Sequence, residues 1–279
     1  MKALLLAAGF GTRLKPITDS IPKCLVPIRG IPLLQYWLDN LCPLSQLEEI
    51  WINTHYLRNQ VEAFIRNSPW RSKVRLLNEP ELLGTAGTLR TLKDELSVGH
   101  RPVLVAHADN LSCFDPRQLL LFHETKPKNV EITMMTFETD SPQSCGIVEL
   151  DSTGIVQVFH EKVQAPPGNL ANAAVYVFDF GVLEFISSLP KKRIDISEDV
   201  LPHYMGKIQT FENLCYHRDI GSPESLAKAD WEFPSSERPS FSDRLCARGV
   251  VDDGTAFEQN DARTQTVDEV EVVRGDELA

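Results

Sequence analysis

The chain has 279 residues, 42% hydrophobic and 24% charged, with a net charge of -11 and a pI near 5.1. This length suits one large α/β domain or a domain with an appendage, and the apolar fraction suffices for a sizeable core. So acidic a body excludes a protein that grips nucleic acid through a general basic surface, while a small anionic substrate in a local Arg/Lys pocket stays open.

The apolar run Ala3-Leu4-Leu5-Leu6 predicts a buried strand over 2–7, followed by a glycine-bearing turn. Further strands are expected at 49–53, 74–78, 102–108 and 130–137, with helices at 32–41, 57–67, 85–95 and 116–123. In the segment 57–67, Leu57, Val61, Phe64 and Ile65 recur at steps of three and four, one face of a helix. Strands alternating with helices of this length imply right-handed βαβ units: an α/β fold with a Rossmann-like, mostly parallel sheet flanked by helices.

After about residue 141 the rhythm changes. Strands at 145–151, 155–161 and 172–178, joined by short turns, predict a smaller antiparallel portion over the sheet's ligand end. A short helix is expected at Asp195-Ile196-Ser197-Glu198-Asp199, with Asp195 or Ser197 as its cap, and a further helix at 223–231. No internal repeat is visible. The main domain is expected over 1–230 and an acidic extension over 231–279. That extension holds 12 Asp/Glu against 5 Arg and no Lys, which is -7 of the total charge of -11. It opens on a linker-like stretch, 234–240, and its Val-rich run 267–273 reads either as a strand or as part of a solvated, partly disordered tail.

Six cysteines (Cys24, Cys42, Cys113, Cys145, Cys215, Cys246) occur with no Cys-x-x-Cys spacing, which suits reduced thiols in a cytoplasmic protein. The apolar run after Met1-Lys2 is too brief for a signal segment or a membrane span, so no membrane association is expected.

The turn after the first strand reads Ala7-Ala8-Gly9-Phe10-Gly11-Thr12-Arg13-Leu14, and Pro22-Lys23 follows. Gly9 and Gly11 allow a sharp turn and close approach of N–H groups to a bulky anion. Arg13 offers a planar fork of donors to phosphate oxygens, Lys23 a compact positive charge. The dinucleotide fingerprint is excluded because Leu14 stands where its third glycine belongs. The P-loop is excluded because no Gly-Lys-Ser/Thr follows the strand. A lone Gly-x-Gly reads equally well as a strand-to-helix turn with a surface Arg and Lys.

The whole run Gly-x-Gly-Thr-Arg-Leu-x-Pro-x-Thr-x-x-x-Pro-Lys-x-Leu-x-Pro from Gly9 to Pro27 resembles the signature of the sugar nucleotidyltransferases, the nucleotide-sugar pyrophosphorylases. The resemblance covers roughly residues 1–230. It implies an enzyme that joins an NTP to a sugar 1-phosphate, with Arg13 and Lys23 as catalytic cations and Ala8, Gly9, Gly11 and Thr12 around the nucleotide. The segment Asn78-Glu79-Pro80-Glu81-Leu82-Leu83-Gly84-Thr85-Ala86-Gly87 resembles the family's base-recognition segment, which implies base contacts from Glu79, Gly84 and Thr85. A carboxylate only accepts hydrogen bonds, so Glu79 suits the adjacent N1–H and N2–H donors of guanine; this favours GTP, with UTP and dTTP open. The bland alternative for Glu79 is an acidic residue favoured at a helix start.

The apolar strand Val103-Leu104-Val105-Ala106-His107-Ala108 ends at Asp109, on the sheet edge where α/β ligand sites form. Without the resemblance, Asp109 would be read as the start of an Asx-turn. The resemblance implies that Asp109, with Asp219 of Asp219-Ile220-Gly221, binds Mg²⁺. Phe159-His160-Glu161-Lys162, Ser144-Cys145-Gly146-Ile147-Val148 and Asn172-Ala173-Ala174-Val175-Tyr176 resemble the family's sugar-phosphate segments, which implies contacts from Gly146, Glu161, Lys162 and Asn172. The chain departs from the family pattern with Ala108 and Ala174 for Gly, Cys145 for Tyr and His217 for Trp. The guanylyltransferases acting on mannose 1-phosphate or a manno-heptose 1-phosphate look most similar, and a homo-oligomer stays open. Two alternatives remain: a non-catalytic nucleotide-sugar-binding regulatory subunit of the same fold, and a Rossmann-type oxidoreductase, against which Leu14 already counts.

Overall fold

The computed structural model describes residues 1–233. The expected linker, the Val-rich run, Cys246 and all but the first three residues of the acidic extension lie outside the described residues.

The chain begins with β1 (Lys2–Leu6), then a loop of short 3₁₀ turns, the two-residue strands β2 (Pro27–Ile28) and β3 (Ile31–Pro32), and α1 (Leu33–Leu41). β4 (Glu49–Thr54), α2 (Arg58–Asn67), β5 (Val74–Asn78), α3 (Thr85–Thr91), α4 (Lys93–Leu96) and β6 (Val103–His107) complete the alternating half. β5, β4, β1 and β6 lie side by side and parallel, and the apolar runs of β1 and β6 suit strands covered on both faces. Leu34, Trp37, Leu38, Val61 and Ile65 of α1 and α2 cover one face; Ala86, Leu89 and Leu96 of α3 and α4 cover the other. The helix expected over 85–95 breaks at Leu92, where the backbone leaves helical geometry as Leu92 and Leu96 turn into the core.

The second half continues with β7 (Asn110–Cys113), α5 (Pro116–Glu124), β8 (Ile132–Glu138), β9 (Gly146–Leu150), β10 (Val156–Glu161), β11 (Leu170–Phe178) and α6 (Phe180–Ser188). β11 runs antiparallel to β6 through Val175–Phe178, meets β9 at Ala171, and lies along β8 on its other edge. The antiparallel portion therefore extends the main sheet itself, with the β9–β10 hairpin beside the end of β6. The short helix expected at 195–199 is a single π-helical turn over Ile196–Val200, capped as expected by Asp195, which accepts a hydrogen bond from Ser197 N at 2.9 Å. β12 (Ile208–Glu212) adds to β8, and β13 (Tyr216–Asp219) and α7 (Pro223–Glu232) follow.

β7 and β13 form a separate antiparallel ribbon that pairs Asp219 with Asn110. A third apolar cluster, Leu14, Val26, Ile28, Leu33, Tyr36, Leu111, Cys113, Ile220, Ala229 and Phe233, fastens this ribbon to the loop after β1 and to α7. Trp37 Nε1 donates to Asn110 O at 2.9 Å, which ties the ribbon to α1. Cys24, Cys42, Cys113 and Cys145 are free thiols, and no described helix is long and apolar enough to cross a membrane.

Candidate active site

The loop after β1 is shaped by local constraints. Gly11 sits at φ 63°, where a side chain is disfavoured, and a Cβ there would fall 2.8 Å from Thr18 Cγ2. Thr18 Oγ1 donates to Gly11 O at 2.7 Å, closing the loop, and Leu14 packs inward fully buried. Arg13 is left exposed on its 3₁₀ turn beside Thr12, and Lys23 points into the protein from another such turn, its side chain only 7% exposed. A Cβ at Gly9 would meet no protein atom within 4 Å, so protein packing does not demand glycine there.

The ribbon register places Asp219 beside the residue that follows Asp109, and the two carboxylates converge. Lys23 Nζ donates to Asp109 Oδ2 at 2.8 Å and to Asp219 Oδ1 at 3.0 Å, and Arg13 Nη2 lies 3.6 Å from Asp219 Oδ2. Burial works against the Lys23 charge, but the two carboxylates outweigh it and hold its pKa above the ordinary value. Burial likewise opposes the Asp109 charge, and Lys23, followed by His107, outweighs it and keeps the carboxyl below its usual range. Gly221 makes room for this group: a Cβ there would fall 2.7 Å from Arg13 Nη2 and 2.8 Å from Asp219 Oδ2.

Two cavities meet at this cluster. One, of about 180 Å³, is lined by Ala8, Gly9, Lys23, Asn53, Glu79, Gly84, Thr85, His107, Asp109, Arg193 and Asp195, among others. The other, of about 320 Å³, has Arg13 and Asp219 in its wall with Cys145, His217, Gly221 and Lys228. The Lys23–Asp219 contact thus lies on the boundary between them. Among the described residues no group of three or more His, Cys, Asp or Glu side chains could hold a metal unaided.

In the smaller cavity the structure adds detail to the sequence reading. Glu79 is buried, and its Oε1 accepts from Asn53 Nδ2 (3.0 Å) and Thr88 Oγ1 (2.5 Å), while Oε2 accepts only a 3.4 Å bond from Leu83 N. The expectation for Gly84 was close approach to a flat base. Its φ of 81° and the Ile194 carbonyl, 2.3 Å from where a Cβ would sit, supply a reason for glycine within the protein itself. Thr85 Oγ1 donates to Asp195 Oδ2 at 3.1 Å and accepts from Ile196 N at 2.8 Å, joining the start of α3 to the 195–196 segment.

The residues expected around the sugar phosphate share one end of the β9–β10–β11 portion. Glu161 pairs with Gly146 across the hairpin, and Ala171, next to Asn172, pairs with Ile147. A Cβ built on Gly146 would fall 2.5 Å from the Phe159 ring, so a side chain there would have to displace that ring. Lys162 Nζ lies 2.9 Å from Glu161 Oε1, which, ahead of an opposing burial effect, raises the lysine's pKa. Asn172 is partly consumed by the fold: its Nδ2 donates to Tyr176 Oη (2.7 Å) and its Oδ1 accepts from Ala174 N (2.9 Å). These bonds brace an irregularity in β11 where Ala174 adopts φ 54°, which accounts physically for the glycine of the family pattern.

Sequence reasoning missed Asn53, His107, Arg193 and Asp195 of the cavity wall. Asn53 Oδ1 accepts from Ala7 N at 2.7 Å, so this side chain links the loop after β1 to Glu79 and Thr88. An amide at the carboxyl end of an otherwise apolar strand was the available signal. His107 carries a buried Nε2 without a hydrogen-bond partner. Asp195 was read only as a helix cap, and it lines the cavity as well.

Residues 2–235 match the family model described as nucleotidyl transferase. The mannose-1-phosphate guanylyltransferase catalytic subunit beta of Drosophila pseudoobscura pseudoobscura is 31% identical over 255 residues, 90% of this chain and 67% of that protein. The mannose-1-phosphate guanylyltransferase of Mycobacterium tuberculosis is 29% identical, over 85% of this chain and 66% of that one. The chain therefore spans about two thirds of the length of these relatives. Among solved structures, HddC from Yersinia pseudotuberculosis, crystallised with GMP-PN, superposes with a TM-score of 0.67 at 26% identity, covering 84% of this chain and 99% of that one. A Bacillus anthracis protein assigned as a glucose-1-phosphate thymidylyltransferase, 22% identical, shares the fold with a TM-score of 0.76 over 87% of this chain and 99% of its own. With this fold, this loop and these relatives, the chain belongs to the nucleotidyl transferase family and is similar to its sugar-1-phosphate nucleotidyltransferases.

Proposed function

We propose that the protein transfers a nucleotidyl group from an NTP, GTP by preference, to a sugar 1-phosphate, making an NDP-sugar and pyrophosphate. The observation that carries this reading is the convergence of Arg13, Lys23, Asp109 and Asp219 at the boundary of two cavities. A sugar-phosphate oxygen attacks the α-phosphorus in line, the bond from that phosphorus to the bridging oxygen breaks, and pyrophosphate leaves with the electron pair. A sugar phosphate is already an anion at neutral pH, so no general base is needed. Catalysis rests on positioning and on neutralising charge.

In this reading the nucleotide occupies the smaller cavity, against Ala8, Gly9 and Gly11, with Glu79, Gly84 and Thr85 around the base. Arg13, on the side of the larger cavity, steadies the departing pyrophosphate. Lys23 contacts phosphates near the reacting centre, and Lys162 holds the incoming phosphate while Gly146, Glu161 and Asn172 surround the sugar. Two carboxylates, one in the turn before β7 and one at the end of β13, that already converge on one cation fit Mg²⁺, which takes hard oxygen ligands and keeps positions for water and phosphate. Asp109 and Asp219 would hold it, and it would supply charge neutralisation at the triphosphate.

The preference for GTP is supported by the Leu83-Gly84-Thr85-Ala86-Gly87 stretch, by the Glu79 Oε2 with its single long bond, and by relatives named as guanylyltransferases. Mannose 1-phosphate is the acceptor those names suggest, and a manno-heptose 1-phosphate is the nearest variant. The test is pyrophosphate release from the four common NTPs, each paired with a panel of sugar 1-phosphates in the presence of Mg²⁺. GTP with a manno-configured acceptor should give the highest kcat/KM. A panel in which no pair releases pyrophosphate overturns the reading.

A further inference from the structure

The Lys23 ammonium does more than line a phosphate site. It lies 2.8 and 3.0 Å from the two carboxylates, its side chain is 7% exposed, and theirs are 38% and 46% exposed. The lysine stem is confined, since a Cβ on Gly11 would come within 3.2 Å of Lys23 Cβ. An ammonium is a compact charge with three donors, and here two of them join the turn before β7 to the end of β13. Without it, two carboxylates aimed at one point would repel each other.

Resting on the nucleotidyl-transfer reading above, we propose that Lys23 is a built-in counter-cation for the metal site. It balances the charge of Asp109 and Asp219, and it competes with a divalent ion for them. A divalent ion arriving alone must sit beside a buried ammonium or push it aside, and nothing else in the cluster offers the ammonium a stronger anion. A triphosphate does offer one. The ion and the nucleotide therefore bind as a coupled pair, each strengthening the other by the same factor, and the free protein does not collect metal at this site. Lys23 is in this respect a competitor of the metal ion for the carboxylates, beside its contact with phosphate.

The test is binding of Mn²⁺ in the absence of any nucleotide, read from the electron paramagnetic resonance signal of the free ion. The proteins are wild type, Lys23→Met, Lys23→Gln and Lys23→Met/Asp219→Asn. Removing a positive charge that repels the ion should tighten Mn²⁺ binding about tenfold or more in both single variants, within the range of ordinary coupling energies. The double variant should lose that gain. Equal or weaker Mn²⁺ binding in the folded single variants overturns the proposal, as does a gain that survives Asp219→Asn. Lys23→Gln keeps hydrogen-bonding capacity at the site and serves if Lys23→Met melts without cooperativity. Because no substrate is present, a failure here is distinct from a failure of the wild type to make an NDP-sugar.

Discussion

Replacing His217 by Phe should flatten the acid side of the stability profile. The ring lies 4.2 Å from that of Phe137 in the wall of the larger cavity, and its Nδ1 is buried without a hydrogen-bond partner. Burial, opposed only by the Asp109 charge, drives its pKa from 6.5 down to about 3. The unfolded chain therefore binds a proton between those values that the folded chain refuses. Stability rises with pH across that window, is complete above the unfolded value and falls as the solution is acidified. Near pH 5, roughly 1.5 units below the unfolded pKa, the loss attributable to this one ring is about 2 kcal/mol, at about 1.4 kcal/mol per unit. Phe keeps the contact with Phe137 and cannot be protonated. Burial lowers the pKa of His107 in the same direction, and that ring is present in both proteins, so the comparison cancels it. Urea unfolding near pH 7.5 and near pH 5 should show the wild type losing about 2 kcal/mol more than His217→Phe. Equal losses would refute a neutral, desolvated His217.

Three further substitutions probe the site. Lys162→Ala should raise KM for the sugar 1-phosphate about tenfold or more with the KM for the NTP unchanged, because a charge-assisted contact to one substrate is removed; steady-state kinetics in which only the NTP KM moves would contradict the assignment. Gly221→Ala should displace the Arg13 guanidinium and lower kcat by about tenfold to a hundredfold, while thermal melting moves by no more than a few degrees. In an Arg13→Ala background the same change should cost less, since only its contact with Asp219 Oδ2 remains, and an undiminished loss there would show that Gly221 does not act through Arg13. Ala174→Gly should stabilise the protein by about 1 kcal/mol in urea unfolding, since a left-handed φ is strained for any residue with a Cβ; no gain would mean the strain is absent.

The parallel half of the sheet was legible because strands buried on both faces carry long apolar runs, and α2 because Val61, Phe64 and Ile65 follow a helical period. β7 and β13 were not legible. Each has four residues, too few for a period to register, and their pairing depends on a contact between residues about a hundred positions apart. Yet that register is what brings Asp219 to Asp109. The roles proposed for these two aspartates therefore rest on resemblance to a known family, and their convergence on Lys23 emerges only from the fold. Asn53, His107 and Asp195 escaped for a related reason. Each is a single polar residue at the end of a strand or turn, and its significance depends on which other strand ends lie beside it. Gly84 shows the converse, a glycine whose place in a motif was legible while its steric reason, the Ile194 carbonyl, was not.

The central claim is that one cleft joins two substrates and releases one product for each pyrophosphate. Incubation of the protein with GTP, mannose 1-phosphate and Mg²⁺, with NDP-sugar separated by chromatography and pyrophosphate assayed in the same sample, tests it most directly. Equal amounts of the two products are expected for the wild type, and a rate lower by orders of magnitude for a folded Asp219→Asn. Pyrophosphate without NDP-sugar, or an Asp219→Asn protein with near-normal turnover, would contradict it.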